Sequence, residues 1–492
     1  MAESGIWPPR MAQEHRLREL DSLVAAGRAS IEFRIERALL LNALGRQTEA
    51  RQAFVEILLQ SPTHFGALNE LANILASAGF TAAACRVYSE AIAHHPENAT
   101  GHVNLANLFL HGGNLDAAQI HYKRALQIDP DHPQAHQGLG AVIAALGDCR
   151  GAKTHFDKGF RDHFLNTLPY RGVRPPLNLI LLVSSGSGNV PVASFLDNRI
   201  FATTVVVADY FSFSAALPQH AIVFNSIGDA DLCRPALKAA IRLVKRTGAP
   251  VINNPSRVIK TGRVANAERL RGLPGVVTPH MVAVPRGFLA GADGPATLAR
   301  QGLAFPLLLR SPGFHTGHNF VKVESASELP AAATGLPGEE LLAIEYLDAR
   351  GIDGNIRKYR VMMIDGEIYP LHLAVSREWK VHYFTADMAD HPTHRAEDAA
   401  FLDDMTRVLG SKAVVALRRI GRRLGLDYAG VDFALSPAGD VMLFEANATM
   451  VVNPPDVDER WAYRRKAVTK ILDAARVMIL DRATDGVKKS AA

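Results

Sequence analysis

Late in the 492-residue chain, two apolar runs flank a glycine turn. They are Asp427-Tyr428-Ala429-Gly430-Val431-Asp432-Phe433-Ala434-Leu435 and Asp440-Val441-Met442-Leu443-Phe444-Glu445-Ala446-Asn447, joined through Ser436-Pro437-Ala438-Gly439. Alternating apolar residues about such a turn predict a β-hairpin. Asp432 falls near the middle of the first strand, and Glu445 follows it by 13 positions. Glu445 and Asn447, two apart, share one face of the second strand, and antiparallel pairing can bring Asp432 beside them. Three hard oxygen donors converging in this way suit Mg²⁺, whose remaining ligands are water and substrate phosphates. Cations recur nearby in the sequence pattern. Arg263 lies in Val258–Val264, Arg310 ends the run Phe305-Pro306-Leu307-Leu308-Leu309-Arg310, and Arg377 and Lys380 occupy a loop rich in aromatic and basic residues. Lys358 and Arg360 precede an Asp365-Gly366 hairpin turn and face one side. Carboxylates among cations suit phosphoryl transfer, which depends on positioning and electrostatics and needs no nucleophile triad.

These side chains require strands and turns to hold them. From Leu177 the pattern is α/β. An apolar strand at Leu177–Val183 leads to the turn Ser184-Ser185-Gly186-Ser187-Gly188 and an expected short helix; strands follow at Phe201–Val207, Ala221–Phe224 and Pro250–Asn253, with a helix at about 232–247. Trp461–Leu480 has the periodicity of a closing helix.

The first third reads differently, because it repeats with a period of 34. Gly45, Gly79, Gly113 and Gly147 fall in register, as do Ala50, Ala84, Ala118 and Ala152, and the aromatics Phe54, Tyr88, Tyr122 and Phe156. Pro62, Pro96 and Pro130 keep the same step. Apolar positions between them complete two helices per repeat, with glycine at the turn and proline after the second helix. A lone helix pair cannot bury its own apolar face, so the units must stack. Eleven of the 19 histidines precede residue 171, and most of them are expected on the solvated surface.

The register from about Ser30 to His163 resembles the tetratricopeptide repeat (TPR), which implies a solenoid with a peptide or protein ligand in its groove. The late hairpin resembles the ATP-grasp superfamily, in particular its D-alanine–D-alanine ligase, glutathione synthetase and ribosomal-protein glutamate ligase branches, over roughly residues 177–480. The expected fold class is therefore an α solenoid followed by α/β pre-ATP-grasp and α+β ATP-grasp domains. Its boundaries are 1–168 for the repeats, 176–256 for the pre-ATP-grasp domain, 257–482 for the ATP-grasp domain and 483–492 for a disordered tail. The resemblance implies ATP and Mg²⁺ as cofactors, with Asp432, Glu445 and Asn447 as metal ligands. It places Arg263, Arg310, Gly313 and Gly317 on the nucleotide phosphates, the last two within Gly313-Phe314-His315-Thr316-Gly317-His318. It also places Glu345, Tyr346 and Leu347 on adenine and ribose, and Arg310, Arg360, Arg377 and Lys380 as catalytic cations. Arginine replaces lysine at both phosphate positions, and Ala448-Thr449-Met450-Val451 replaces the Pro-Gly turn usual after the asparagine. The implied function is an ATP-dependent carboxylate–amine ligase acting through an acyl phosphate on a peptide or protein that the repeats recruit. Its carboxylate and amine can be small molecules or peptides. A kinase of the same fold and a non-catalytic nucleotide-binding scaffold are the alternatives.

Composition narrows the field. Lys+Arg 54 against Asp+Glu 49 leaves +5, too small a surplus for a nucleic-acid partner. Through Tyr170 there are 15 basic and 17 acidic residues, and thereafter 39 and 32, so the later part carries the positive excess that an anionic ligand requires. Apolar runs fall short of the ~20 residues of a membrane span, no secretory signal is visible at Met1, and three scattered cysteines suit a reducing, cytoplasmic setting. A homodimer is compatible with all of this.

Overall fold

The computed structural model describes residues 10–314, 317–381 and 386–490, which divide into two compact units. The first is built from α1 (Arg10–Ala25) and four helix pairs: α2 (Ile31–Ala43) with α3 (Gln47–Gln60), α4 (Phe65–Ser77) with α5 (Thr81–His94), α6 (Ala99–His111) with α7 (Leu115–Ile128), and α8 (Pro133–Ala145) with α9 (Cys149–Phe160). The four turn glycines have φ between 77° and 95°, a left-handed conformation that other residues adopt only under strain. Side chains of Ser30, Asn98, Asn114 and Asp148 accept backbone N–H groups at helix starts. Phe54, Tyr88 and Tyr122 are buried between helices. Tyr88 Oη donates to Asn73 Oδ1 and, 34 residues on, Tyr122 Oη donates to Asn107 Oδ1, both at 2.5 Å.

Two of the early histidines are not on the solvated surface where most of them lie. His102 and His136 are buried, and their Nδ1 atoms lie 3.1 and 2.9 Å from Nδ1 of His121 and His155, while their Nε2 atoms reach the carbonyls of Pro96 and Pro130. A ring pair that satisfies its own nitrogens can leave water, which residue type alone does not reveal.

This unit also extends further than the predicted boundary at 168. β1 (Leu165–Thr167) lies before β2 (Leu177–Val183), and β3 (Phe201–Val207) pairs antiparallel with β1. Tyr210 Oη donates to Asp157 Oδ1 at 2.7 Å, so residues 198–215 group with the repeats.

In the second unit β2 runs parallel to β4 (Ile222–Asn225), and β4 to β5 (Val251–Ile252), with α10 (Arg234–Val244) in the crossover. The short helix expected after Gly188 is absent. Asn189 Oδ1 instead accepts the Ser184 N–H at 2.8 Å and Val190 N–H bonds Ser226 O, which hold the chain extended. After α11 (Pro255–Val258), α12 (Arg263–Leu270) and β6 (Val276–Val277), an antiparallel sheet forms in the order β7 (Met281–Pro285), β10 (Glu340–Glu345), β8 (Leu307–Arg310), β9 (Phe320–Val323). Its connections contain α13 (Arg286–Ala290), α14 (Gly294–Arg300) and α15 (Leu329–Gly335).

The last sheet carries the hairpins. β11 (Ile356–Ile364) and β12 (Glu367–Ser376) turn through Asp365 and Gly366, both at positive φ, and β13 (Tyr428–Leu435) pairs with β14 (Val441–Asn447). The order is β12, β11, β13, β14, β6. One face packs on α16 (Pro392–Asp403) and α17 (Met405–Leu424) through Tyr359, Val361, Val431, Phe433, Phe401 and Leu417. A 3-10 turn (Glu459–Arg464) leads into α18 (Arg465–Ser490), which continues as helix past position 483, where a disordered tail is expected; residues 491–492 lie outside the described chain. No helix is long and apolar enough to cross a membrane among the described residues.

A close approach in the repeats is testable. A Cβ at Gly138 would overlap the buried Tyr122 ring. Gly138→Ala should therefore lower the stability of the protein by about 1–3 kcal/mol, read as a shift in the urea midpoint of the helical signal.

Candidate functional site

Strand alternation alone would put Glu445 on the core face with Val441 and Leu443. A bulge intervenes: Phe433 pairs with Leu443 but Asp432 pairs with Glu445, so Phe444 is the extra residue. The phase reverses there, Ala446 takes the core face, and Glu445 and Asn447 join Asp432 on the opposite side. Arg360 on β11 stands directly opposite Asp432, and His372 on β12 directly opposite Arg360. Glu445, Asp432, Arg360 and His372 thus form one row across β14, β13, β11 and β12. The hairpin is moored by Asn253, whose side chain takes the Tyr428 N–H at 2.8 Å and donates to Tyr428 O at 2.7 Å. Asn266 on α12 donates to Ala446 O.

Asp432 is buried between two cations. Arg360 Nε donates to its Oδ1 at 2.5 Å and Lys358 Nζ lies 2.7 Å from its Oδ2. Burial raises the tendency of this carboxyl to hold a proton, but Arg360 and Lys358 outweigh it and keep Asp432 far below the ordinary carboxylate range. Burial likewise opposes the Glu445 charge, and Arg263, whose Nη2 donates to Glu445 Oε1 at 2.6 Å, tips the balance downward. Arg310, at the end of β8, forms no ion pair among the described residues. Its guanidinium donates to Phe314 O and lies 5.4 Å over the Phe320 ring, and burial, then Arg263, bring its pKa down to about 10.

These groups line a cavity of about 750 Å³, within the range of small-molecule sites. Arg263, Arg310, Arg360, Asp432, Glu445, Gly317, Lys380, Glu345, Tyr346 and Leu347 all reach it. Lys380 Nζ donates to Phe320 O at 3.2 Å, and Glu345 Oε2 accepts the His280 N–H at 2.9 Å. Gly313 and Asn447 line an adjoining cavity of about 260 Å³ that shares Arg263, Arg310 and Glu445. Arg377 is not brought in: it is exposed just beyond β12, and neither cavity touches it. The chain leaves the sheet at Ser376, so strand alternation no longer aims the side chain that follows. His315 and Thr316 of the glycine loop, and His382 to Thr385 of the aromatic loop, lie outside the described residues. His372, Trp461 and Arg464 also line the cavity, and sequence pattern alone did not single them out.

The donor set can be tested against the implied Mg²⁺. Among the described residues no three His, Cys, Asp or Glu side chains cluster, so a closed protein cage is excluded there. Two carboxylates in register fit an open site for a hard cation completed by phosphate and water. Asn447 Nδ2 donates to Glu445 Oε1 at 2.8 Å and its Oδ1 accepts from Thr449 N–H and Oγ1, so in this arrangement the amide orients Glu445.

Comparison with known proteins identifies the first unit. Residues 69–133 match the tetratricopeptide repeat family model, and the chain carries a TPR domain there. No curated protein matches the chain. Solved structures that resemble it include MamA 41-end from Desulfovibrio magneticus RS-1, at 24% identity over 31% of this chain and 85% of that one, with a TM-score of 0.28. Another is a thermophilic TPR protein from Thermus thermophilus, at 19% identity over 31% and 91%, with a TM-score of 0.26.

Removing the shared anion should be costly. Asp432→Asn leaves Lys358 and Arg360 confined without a counter-charge and should destabilise the protein by about 3 kcal/mol at neutral pH. The unfolded carboxyl titrates near 3.9 and the folded one lower, so its stabilisation is present above that value and fades as pH falls through the folded pKa. Denaturant titrations from pH 7 to pH 3 should show a shallower acid decline in the variant.

Proposed function

We propose that this chain is an ATP- and Mg²⁺-dependent carboxylate–amine ligase with an ATP-grasp fold, acting through an acyl phosphate on a peptide or protein that the TPR domain recruits. The observation that carries the reading is Arg310: a half-buried guanidinium with no carboxylate partner among the described residues, beside Arg263, Lys358 and Arg360 and facing two in-register carboxylates. A confined unpaired cation is unfavourable unless an anion completes it. A polyphosphate supplies that anion, and the carboxylates beside it suit the metal that accompanies one.

In this reading Arg263 and Arg310 bind the phosphates, with backbone N–H groups near Gly313 and Gly317 approaching closely. Main-chain groups of Glu345, Tyr346 and Leu347 receive the base. Asp432 and Glu445 would hold Mg²⁺, oriented by Asn447, and the ion would neutralise charge on the terminal phosphate. Arg360 positions the substrate carboxylate, whose oxygen attacks that phosphorus in line as ADP leaves. An amine then displaces phosphate from the acyl group and an amide forms. Lys380, at the cavity edge, offsets charge that develops on the transferred group.

The test is ADP release by the full-length protein with Mg-ATP and pooled peptides plus amino acids, followed by mass spectrometry. Amide product with ADP and phosphate is expected. Arg310→Met and Glu445→Gln should each lower kcat/KM by about 10²-fold or more. A phosphorylated product without an amide would make the chain a kinase, and nucleotide binding with no turnover would make it a scaffold.

A further inference from the structure

Two histidine pairs in the repeats constrain where protons can sit. His102 on α6 meets His121 on α7, and one repeat later His136 on α8 meets His155 on α9, with Nδ1···Nδ1 separations of 3.1 and 2.9 Å. The ring centroids are 5.4 and 5.1 Å apart, about the N···N separation plus one ring radius at each end, so in both pairs the two nitrogens point at one another. That is the geometry of an N–H···N hydrogen bond. On that line a zinc ion, at about 2.0–2.1 Å from each nitrogen, does not fit between them.

The backbone fixes the tautomers. Nε2 of His102 lies 3.3 Å from Pro96 O, and Nε2 of His136 lies 2.9 Å from Pro130 O. A carbonyl only accepts, so both Nε2 atoms carry hydrogen and a neutral His102 or His136 presents a bare Nδ1. His121 and His155 must then donate from Nδ1, which leaves their own Nε2 atoms bare. One added proton settles on Nε2 of His121 or His155 and keeps the bond. A second has only Nδ1 of His102 or His136 to occupy, and two N–H groups on two charged rings then face each other across the 3.1 or 2.9 Å gap.

Burial acts in the same direction. It lowers the pKa of His102, His121 and His155, with His102 adding to the effect at His121, and His136 and Lys158 adding to it at His155. At His102 the Pro96 carbonyl and Glu97 oppose burial while Arg124 of α7 reinforces it, and Arg124 bridges Glu97 at 2.7 Å. Among the described residues α5 and α8, which also pack here, bring no further charged group to the first pair, and α7 brings none to His155. The repeat itself does not demand imidazoles, because Leu68 and Val87 hold the corresponding places in α4 and α5.

We infer that the α6–α9 segment is a proton-sensitive switch, packed while each histidine pair shares a single Nδ1 proton and loosened when acid places a proton on both rings. Histidines whose folded pKa is lowered bind fewer protons folded than unfolded. Their stabilisation is therefore complete above the unfolded value of about 6.5 and is lost as pH falls below it. Two equivalent pairs at adjoining junctions make the transition steeper than one pair would.

Hydrogen exchange read by mass spectrometry on the full-length protein resolves the segments. The helices α2 and α3 contain no histidine and serve as the internal reference. With the intrinsic pH dependence of exchange divided out, protection of α6–α9 relative to α2–α3 should fall at least about tenfold from pH 8 to pH 5, the effect of a one-unit shift at one histidine. An asparagine amide donates to a bare Nδ1 and, turned over, accepts from a protonated one. His121→Asn combined with His155→Asn should therefore keep the pH 8 protection and lose most of the acid effect. If the double variant does not fold, each single variant should suppress the effect in its own helix pair alone, α6–α7 or α8–α9. Relative protection that stays level from pH 8 to pH 5, or an acid loss that these variants retain, overturns the inference.

Discussion

A carboxylate in the middle of a sheet has to be compensated, and much of the second unit follows from how Asp432 achieves it. Two cations two residues apart on β11 flank it, Lys358 on one oxygen and Arg360 on the other. Because both must share its face, the register of β11 against β13 has no freedom. A slip by one residue would turn Asp432 into the cluster of Tyr359, Val431 and Phe433 and bring apolar side chains out to the cavity. Stability and ligand chemistry are thus written into one pairing. The cavity lining carries more cations than carboxylates, a balance that favours an anionic ligand.

The two bulges of this sheet serve that same end. At Phe444 the phase of β14 reverses so that Glu445 meets Asp432. Between Arg360 and Val361 the register against β12 also shifts, leaving Leu371 as the extra residue and setting His372 opposite Arg360. Each bulge sacrifices regular pairing locally and re-aims a polar side chain into the cavity. The opposite face keeps its apolar side chains packed against α16 and α17 throughout. A sheet with one largely apolar face and one polar face is what permits a row that runs from Glu445 and Asp432 through Arg360 to His372.

The repeats follow a simpler physics. Each helix pair hides its apolar stripe only against its neighbours, so the same contacts recur at the same step, down to the tyrosine–asparagine hydrogen bonds at Tyr88 and Tyr122. Such a unit tolerates polar residues in its interior when they satisfy one another. His102 with His121 and His136 with His155 do so at equivalent positions of successive repeats. Repetition made the module legible, because a fixed period with glycine turns and buried aromatics admits few other folds.

Local chemistry determined much of this protein in advance. The 34-residue period gave the helix pairs, the Asp365-Gly366 turn gave the β11–β12 hairpin, and the alternating apolar runs gave the hairpin that carries Asp432, Glu445 and Asn447 to the cavities. Tertiary structure decided the rest. Residues 198–215 joined the repeats because β3 pairs with β1, a contact between segments distant in sequence. Asn447 turned its amide to Glu445 and its carbonyl to Thr449, and Arg377 fell outside the site where the strand ends at Ser376. His372, Arg464 and Trp461 entered it from elements that no local pattern connects. The physical reason is common to these cases. Periodicity and turn residues act over a few neighbouring positions, whereas bulges, strand neighbours and buried ion pairs are settled by what the rest of the chain places alongside.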